Sequence, residues 1–334
     1  MLFPEKQVQV SVLLAVRNEE TNIERCLKSI SELDYPQSEL EVCIGDDDST
    51  DNTAELVLKF IKDKPQFKYF RISKNVTGLK GKANVLAQLA NKAEGQYFFF
   101  CDADITVQPT WITSMLSHFR PDTGVVIGIT RMSKKPGLLA SFLSLEWLFI
   151  LSIMRFFSLF RIGMTGLGNN MAVSRAAYEA VGGYEKIGFS IVEDYALFIS
   201  IIRKKFGFVQ AYTSQILAYS EPVSGYRELI IQRRRWIQGI MKSPFVLQLC
   251  VIFCALFVPA MAVLYFWDPH RSLNMLVSHY LFITSITLAG VILLRQFDLI
   301  KTVFFFWFYL MTICFVMLVI YIFPGKTVWK GREY

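Results

Sequence analysis

Residues 40–51 read LEVCIGDDDSTD, a short apolar run followed at once by a cluster of carboxylates. Short apolar runs rich in β-branched and aromatic residues and bounded by turn residues are typical of buried strands. Similar runs are VSVLLAV at 10–16, KYFRI at 68–72 and QYFFFC at 96–101. Segments with helical spacing lie between them, as at 21–33 and 81–93. This alternation predicts an α/β domain with a mostly parallel sheet and helices on both faces.

Acidic residues follow two of the predicted strands. Asp46 and Asp47 begin the first cluster, and Asp102 and Asp104 follow the run that ends at Cys101. In such sheets, ligands bind beyond the carboxyl ends of the strands. Clustered carboxylates repel one another unless they are neutralised, so an Asp-x-Asp at a strand end is a candidate for a divalent cation carrying a diphosphate. Taken alone, the first cluster is equally typical of a helix N-cap, and the second of a solvated turn.

The last third of the chain is strongly apolar. Three runs without acidic residues or lysine cover Val246–Trp267, Ser272–Leu294 and Thr302–Phe323. A helix of about 22 residues is about 33 Å long, which is enough to cross a bilayer. We therefore expect membrane helices within 244–325 and a basic tail at 326–334, rather than buried helices of a large soluble core. The number of crossings stays open, because three crossings from the cytosol would place a basic tail outside, against the positive-inside rule.

The first part of the chain contains no secretory leader, so we expect residues 1–243 to form a cytosolic catalytic domain. The net charge is +7, and the densest basic run is 233–235, followed by Lys242. Basic residues directly before a membrane helix favour contact with an anionic leaflet rather than with nucleic acid. The expected location is thus an integral membrane protein with its catalytic domain in the cytosol, at the inner membrane if the source is bacterial.

Four further segments carry polar or glycine residues in a distinctive order. They are the basic loop 78–84 (GLKGKAN), the glycine-rich loop 166–170 (GLGNN), the carboxylate pair Glu193-Asp194 and the segment Gln232–Trp236 (QRRRW). Each also has a simpler interpretation. The loop 78–84 is compatible with a solvated loop, the acidic pair with helix-start carboxylates, and the last segment with an interfacial basic helix.

In order and spacing, these motifs resemble the inverting family 2 nucleotide-sugar glycosyltransferases, which include cellulose, hyaluronan and chitin synthases and ceramide glucosyltransferases. The resemblance covers Val8–Lys242 and rests on the ordered set rather than on any one motif. It implies a GT-A nucleotide-diphospho-sugar transferase fold followed by C-terminal transmembrane helices. It also implies a nucleotide-sugar donor, with UDP favoured, and a divalent metal, Mg or Mn.

The resemblance further implies a role for each site residue. Residues expected to bind the donor are Asn18, Asp46, Asp47, Lys82, Asp102, Gln232, Arg235 and Trp236. Asp104 is the implied metal ligand. Asp194 would act as the general base that takes the proton of the acceptor hydroxyl, and Glu193 would shape the pocket. Metal and cations would stabilise the departing diphosphate in a direct, inverting displacement. The sequence departs from the family at Asp48, where a small residue is common.

A further apolar stretch, Leu138–Phe160, is interrupted by Glu146 and Arg155. A crossing there would place Asp104 and Asp194 on opposite sides of the membrane, which the expected catalysis forbids. We therefore expect an amphipathic helix that lies on the bilayer near 138–160, beside an acceptor entrance.

The acceptor is not determined by the sequence. Processive synthases share the motif at 232–236 but need enough helices to build a polymer channel, and this chain offers at most three. We expect a second interfacial helix at 226–242 and one transfer to a membrane lipid or lipid-linked acceptor. A processive polysaccharide synthase is the alternative, and a non-catalytic nucleotide- or lipid-binding membrane protein is the alternative of another class.

Overall fold

The computed structural model describes residues 9–76, 78–134, 137–190, 192–223, 225–240, 245–323, 328–329 and 332–333. The chain divides into two units, one formed by residues up to Thr130 with Phe157–Ser220, and the other by Arg131–Phe156 with residues from Glu221 onward. The predicted domain boundary between 243 and 244 and most of the predicted basic tail lie outside the described residues.

Strands alternate with helices through the first unit. The strands are β1 (Val10–Val16), β2 (Leu40–Asp46), β3 (Phe67–Arg71), β4 (Tyr97–Asp102), β5 (Ile105–Val107), β6 (Thr123–Ile127), β7 (Ile129–Met132), β8 (Asn170–Ser174), β9 (Gly207–Gln210), β10 (Leu217–Ser220), and, in the tail, β11 (Val328–Trp329) and β12 (Arg332–Glu333). The helices are α1 (Ile23–Ser31), α2 (Thr53–Ile61), α3 (Gly81–Lys92), α4 (Trp111–Leu116), α5 (Leu138–Ser158), α6 (Arg175–Ala180), α7 (Gly183–Ile187), α8 (Glu193–Arg203), α9 (Tyr226–Ile240), α10 (Phe245–Tyr265), α11 (Pro269–Leu293) and α12 (Ile300–Ile322).

The main sheet has seven strands in the order β3-β2-β1-β4-β8-β6-β9. All neighbours are parallel except those of β8, which runs antiparallel to both β4 and β6. The mostly parallel α/β sheet predicted from the sequence is confirmed. The antiparallel β8 was not predicted, because its short run, NMAVS, carries no signal of direction.

The register of the central strands brings the acidic residues to one edge. Val16 of β1 lies opposite Asp46 of β2, and Ala15 lies opposite Asp102 of β4. Both Asp residues thus end neighbouring strands at the carboxyl edge of the sheet. This edge is where ligands bind in parallel α/β sheets.

Helix α3 packs closely on the sheet at Gly45. A Cβ added to Gly45 would lie 2.4 Å from a methyl carbon of Val85, so only glycine allows this approach. The facing residues Leu86 and Leu89 of α3 are buried in the same core, which also contains Phe98 and Phe100. This packing holds the loop before α3, and with it Lys82, against the carboxyl edge of the sheet.

The second unit consists of long apolar helices. Among the described residues, three helical segments are long and apolar enough to cross a membrane: Leu138–Ser158, Pro269–Leu293 and Phe297–Ile322. Helix α10 contains Pro259, and its part from Val251 to Tyr265 is a shorter apolar helix. The predicted apolar C-terminal helices are therefore confirmed, with ends that differ from the sequence-based bounds by a few residues.

An ion pair between a buried arginine and an exposed aspartate joins two parts of the second unit. The Nη2 of Arg131, at the end of β7, lies 2.9 Å from Oδ2 of Asp298, in the turn between α11 and α12. The Arg131 side chain is 2% exposed and also donates to the side-chain oxygen of Gln296. This bidentate arrangement fixes the turn between two of the apolar helices.

Candidate active site

The turn after β2 holds Asp46 in a buried position with both carboxylate oxygens engaged. Oδ1 accepts a hydrogen bond from the Ser49 amide at 2.8 Å, and Oδ2 accepts one from the Tyr69 hydroxyl at 2.8 Å. Burial and this bond to Asp46 raise the pKa of Tyr69 to about 12. Asp46 therefore shapes the turn, and donor binding by its carboxylate stays a prediction.

Asp47 and Asn18 lie in two neighbouring segments, the turn after β2 and the loop after β1. The Arg17 guanidinium is 3.7 Å from Asp47 Oδ2 and also donates to the Asp47 carbonyl. The Asn18 amide donates to Ser49 Oγ at 3.0 Å, and Asn18 Oδ1 accepts from the Thr50 amide at 2.9 Å. The segment after β1 and the acidic turn after β2 are thus bonded into one surface, and nucleoside binding there stays a prediction.

Asp48 departs from the family pattern, and its backbone explains why a small residue is common there. Its φ is +56°, in the left-handed region that favours glycine. The Arg71 guanidinium lies 2.6 Å from Asp48 Oδ1, and both side chains are exposed. Asp48 therefore adds an ion pair at the rim of the turn.

Lys82 joins three elements at the carboxyl edge. Its Nζ lies 2.5 Å from Oδ1 of Asp102, at the end of β4, and 3.1 Å from Oε1 of Glu193, at the start of α8. Burial opposes the charged form, but the carboxylates of Asp102, Glu193 and Asp194 outweigh it and raise the pKa of Lys82 above its ordinary value. The site therefore contains a permanent cation, which suits an anionic diphosphate.

Asp194 is held by two backbone amides. The amide of Gly168 donates to Oδ2 at 2.7 Å, and the amide of Tyr195 donates to Oδ1 at 2.8 Å. Burial and the neighbouring charge of Glu193 raise the pKa of Asp194 to about 6, although Lys82 opposes them. A carboxylate with a fixed orientation and a pKa close to neutrality suits a general base.

The glycine-rich loop 166–170 packs closely against Asp194. A Cβ added to Gly168 would lie 3.0 Å from Asp194 Cβ and 3.2 Å from its Oδ2. A Cβ added to Gly166 would lie 2.8 Å from the Asp194 carbonyl oxygen. The two glycines of the loop that the sequence analysis singled out therefore allow backbone to pack directly against the candidate base.

Asp104 lies in the turn between β4 and β5. Its Oδ2 accepts a hydrogen bond from the Ser220 hydroxyl at 2.8 Å, and its carbonyl accepts one from Arg25 at 2.8 Å. Burial and the charge of Asp102 raise the pKa of Asp104 to about 6, and the bond from Ser220 opposes this. A carboxylate that is costly to ionise beside another carboxylate is one that a bound cation would stabilise.

The carboxylates of Asp102 and Asp104 fit a metal ion that also binds the substrate. No group of three or more His, Cys, Asp or Glu side chains surrounds a common point within the described ranges. Mg²⁺ is commonly held by one or two carboxylates, with substrate phosphates and water completing its shell. Asp104, with Asp102 beside it, fits that arrangement rather than an all-protein cage.

The remaining predicted donor residues lie in α9 of the second unit. Gln232 is half-buried. The side chains of Arg235 and Trp236 lie outside the described part of the structure, so their roles stay predictions. In the first unit, by contrast, Asn18 and Asp46 share the bonding partner Ser49, and Asp47 contacts Arg17, the neighbour of Asn18. Lys82 contacts Asp102 and Glu193 directly, and the charge of Asp194 also acts on it.

Two residues of the site were missed by the sequence analysis. Ser220 lies 116 positions from its partner Asp104, at the end of the short strand β10, and nothing in LAYS indicates a polar contact. Tyr69 bonds Asp46 across the pairing of β3 with β2. The two-residue period of a strand, which places Tyr69 on the same face as Arg71, was the one available signal.

The chain is similar to known glycosyltransferases. The family model described as "Glycosyl transferase family 21" matches residues 3–334. The chain belongs to this family. Membership of family 21 confirms the expectation of a family 2-type glycosyltransferase. The mannosyltransferase PcManGT from Pyrobaculum calidifontis, solved in complex with GDP-Man and Mn²⁺, superposes with a TM-score of 0.55 at 17% identity. The superposition covers 92% of this chain and 87% of the PcManGT chain, which confirms the GT-A fold.

Family 21 membership is accompanied by similarity to enzymes with different products. The poly-β-1,6-N-acetyl-D-glucosamine synthase of Staphylococcus epidermidis is 30% identical over 233 residues, which are 69% of this chain and 54% of that protein. The β-monoglucosyldiacylglycerol synthase of Nostoc sp. is 27% identical over 235 residues, 69% of this chain and 48% of that protein. The chain thus spans about half the length of the curated relatives it matches.

Proposed function

We propose that this chain transfers a sugar from a nucleotide diphosphate sugar, with UDP favoured, to a membrane lipid or lipid-linked acceptor, with inversion at the anomeric carbon. The observation that carries the proposal is the placement of Asp194. Its carboxylate is fixed by two amides, and Glu193 beside it is bonded to the Lys82 cation, which in turn binds Asp102. A base and a phosphate-binding cation are thus gathered at the edge where ligands enter this type of sheet.

The proposed chemistry assigns a distinct task to Asp194, to Lys82 and to the surface formed by Asn18 and Asp47. Asp194 takes the proton of the acceptor hydroxyl as that oxygen attacks the anomeric carbon, and the amides of Gly168 and Tyr195 keep its oxygens in position. Lys82 offers a positive charge to the departing diphosphate. The surface formed by Asn18 and Asp47 binds the nucleoside, for which carboxylate and amide groups are suitable hydrogen-bonding partners.

A divalent metal is part of the proposal. Asp104 would hold it, next to Asp102, and Ser220 would orient the Asp104 carboxylate. Bound there, Mg²⁺ or Mn²⁺ would supply charge neutralisation for the diphosphate. The Mn²⁺ in the PcManGT complex supports the choice of a divalent ion, with Mg²⁺ and Mn²⁺ to be distinguished by assay.

The chain segments on either side of α5 favour a position of this helix on the bilayer surface. Gly128, which directly follows β6, donates its amide to the carbonyl of Asn170, the first residue of β8, at 2.8 Å. If α5 crossed the membrane, the chain would have to return through the bilayer within residues 159–169 as irregular backbone, which lipid does not tolerate. A helix that lies along the bilayer surface, with the exposed side chains of Ile150 and Phe156 in the lipid, requires no such crossing before or after it.

The β-monoglucosyldiacylglycerol synthase relative favours a lipid acceptor, and so do the exposed apolar side chains of α11 and α12. We further propose that the catalytic unit faces the cytosol. A processive polysaccharide synthase is the second candidate, because the relative with 30% identity is a poly-β-1,6-N-acetyl-D-glucosamine synthase.

The test is nucleotide release by the purified chain in lipid nanodiscs. The donors are a panel of UDP- and GDP-sugars, each with Mg²⁺, Mn²⁺ or a chelator, and the acceptors are native membrane lipids. Metal-dependent release with one new glycolipid is the expected result. A ladder of lengthening products would favour the synthase instead, and nucleotide binding without release for every donor would refute the proposed transfer.

A further inference from the structure

Helix α9 carries the segment 232–236 and also a buried cation. The Arg233 side chain is 1% exposed, and its Nη2 lies 2.6 Å from Oε2 of Glu146 in α5. The Tyr309 hydroxyl of α12 donates to the same carboxylate oxygen at 2.7 Å. Three helices of the second unit therefore meet at one buried carboxylate.

This arrangement is costly in the place where it occurs. Removing two charges from water costs about as much as their attraction returns, and apolar side chains of similar volume stabilise such a contact at least as well. Glu146 also lies in an apolar helix whose one other charged residue is Arg155. Packing stability alone is therefore a weak explanation for the buried ion pair.

The geometry of α9 indicates what the ion pair determines. Successive residues of an α-helix are about 100° apart around its axis. The side chain at 233 is directed to Glu146. Around the helix axis, position 235 is then rotated by about 200° from position 233, and position 232 by about 100° in the opposite sense. Pinning Arg233 thus sets the rotation of the whole segment 232–236, and the second bond, from Tyr309, fixes the carboxylate that does so.

We propose that Glu146 is a positioning residue that, together with the Tyr309 hydroxyl, sets the rotation of α9 and so orients the segment 232–236 for transfer. The inference rests on the proposed function, in which this segment contacts the donor. Glu146 acts through Arg233 and touches no reacting atom. Its effect falls on the transition state, where a misdirected segment loses interactions with the developing charge of the diphosphate.

The experiment compares three variants of the full chain in nanodiscs. Glu146→Leu leaves Arg233 buried without its carboxylate and serves as the disruptive variant. The double variant Glu146→Leu with Arg233→Met replaces the ion pair by apolar side chains. Asp298→Asn is the control, because it weakens the ion pair of the other buried arginine of the same unit, Arg131, without touching α9.

For each variant we measure the thermal midpoint, kcat and donor KM, and amide hydrogen exchange in residues 226–240. The double variant is expected to recover the wild-type midpoint, since an apolar pair replaces the charged one. Its kcat stays at least about tenfold below wild type with donor KM changed less than about threefold, because the lost interactions belong to the transition state. Amide hydrogen exchange in α9 of the double variant is at least about tenfold faster than in wild type, because the helix has lost its fixed orientation. Asp298→Asn lowers the midpoint and changes kcat less than about twofold.

Recovery of both the midpoint and kcat in the double variant would overturn the inference, because the ion pair would then serve packing alone. An equal loss of kcat in Asp298→Asn would also overturn it, by showing a general effect of destabilising the unit. Absence of transfer by the wild-type chain would refute the proposed function, and this failure is distinguishable because hydrogen exchange reports on α9 without turnover.

Discussion

Replacing Gly168 by Ala should displace the candidate base without removing any of its atoms. The added Cβ would lie 3.0 Å from Asp194 Cβ, 3.2 Å from Asp194 Oδ2 and 3.3 Å from Lys82 Nζ. Carbon atoms pack best at about 3.5–4.0 Å, so Asp194 must move by a few tenths of an ångström. The φ of Gly168 lies outside the left-handed region, so alanine strains no backbone and the effect comes from these contacts.

A misplacement of about 1 Å costs about a hundredfold in rate, so a shift of about half that size should lower kcat about tenfold. This corresponds to about 1.4 kcal/mol of transition-state stabilisation. Lys82 can move away because its end is flexible, whereas Asp194 is bonded to the amide of the substituted residue itself. Gly166→Ala should be worse, since its Cβ would meet the backbone carbonyl of Asp194 at 2.8 Å.

The assay is the initial rate of nucleotide release in nanodiscs, with kcat and KM determined separately and the thermal midpoint measured in parallel. Gly225→Ala is the control, because a Cβ there has no atom within 4 Å. It should keep the wild-type kcat. If Gly168→Ala matched that control in kcat, the position of Asp194 would not limit transfer, and its assignment as the base would be refuted.

Three further predictions concern the same unit. Below about pH 6, kcat/KM should fall about tenfold per pH unit as Asp194 is protonated, and Glu193→Gln should move this limb to lower pH, because the Glu193 charge raises the pKa of Asp194; a limb shifted to higher pH would contradict the assignment. Ser220→Ala should weaken Mn²⁺ or Mg²⁺ binding, measured by metal titration of nucleotide release, by about 10- to 100-fold, because Ser220 orients Asp104; an unchanged titration would argue against Asp104 as the ligand. Asp48→Gly should leave the free energy of unfolding within about 1 kcal/mol of wild type, whereas Asp48→Val should cost at least about 1 kcal/mol, because the φ of +56° suits glycine; equal thermal midpoints for the two variants would exclude backbone strain there.

The positions of the site that follow from strand ends were predictable from the sequence. Buried parallel strands produce continuous apolar runs, so the ends of β2 and β4 were evident, and with them Asp46 and Asp102. The register of β1 with both strands then places these residues at one edge. Lys82, in the first turn of the helix that follows β3, was instead implied by the family resemblance of the loop 78–84.

Contacts between distant segments were not predictable in this way. The Ser220–Asp104 bond joins residues 116 positions apart, and the Gly168–Asp194 bond joins a loop to a helix start 26 positions away. Neither local propensity nor periodicity carries information about such pairs. The burial of Glu146 was also hidden, because an isolated charge in an apolar run is equally compatible with a polar helix face and with an internal ion pair.

The most direct test of the central claim is Asp194→Asn in full-length chain in nanodiscs, with nucleotide binding and sugar transfer measured on the same preparation. Asparagine has nearly the same shape but cannot accept the proton of the acceptor. We expect nucleotide affinity to stay within about threefold of wild type and kcat to fall by about 10²–10⁴-fold, the usual contribution of a general base. Transfer at a rate within about fivefold of wild type, with the thermal midpoint unchanged, would show that Asp194 is not the base.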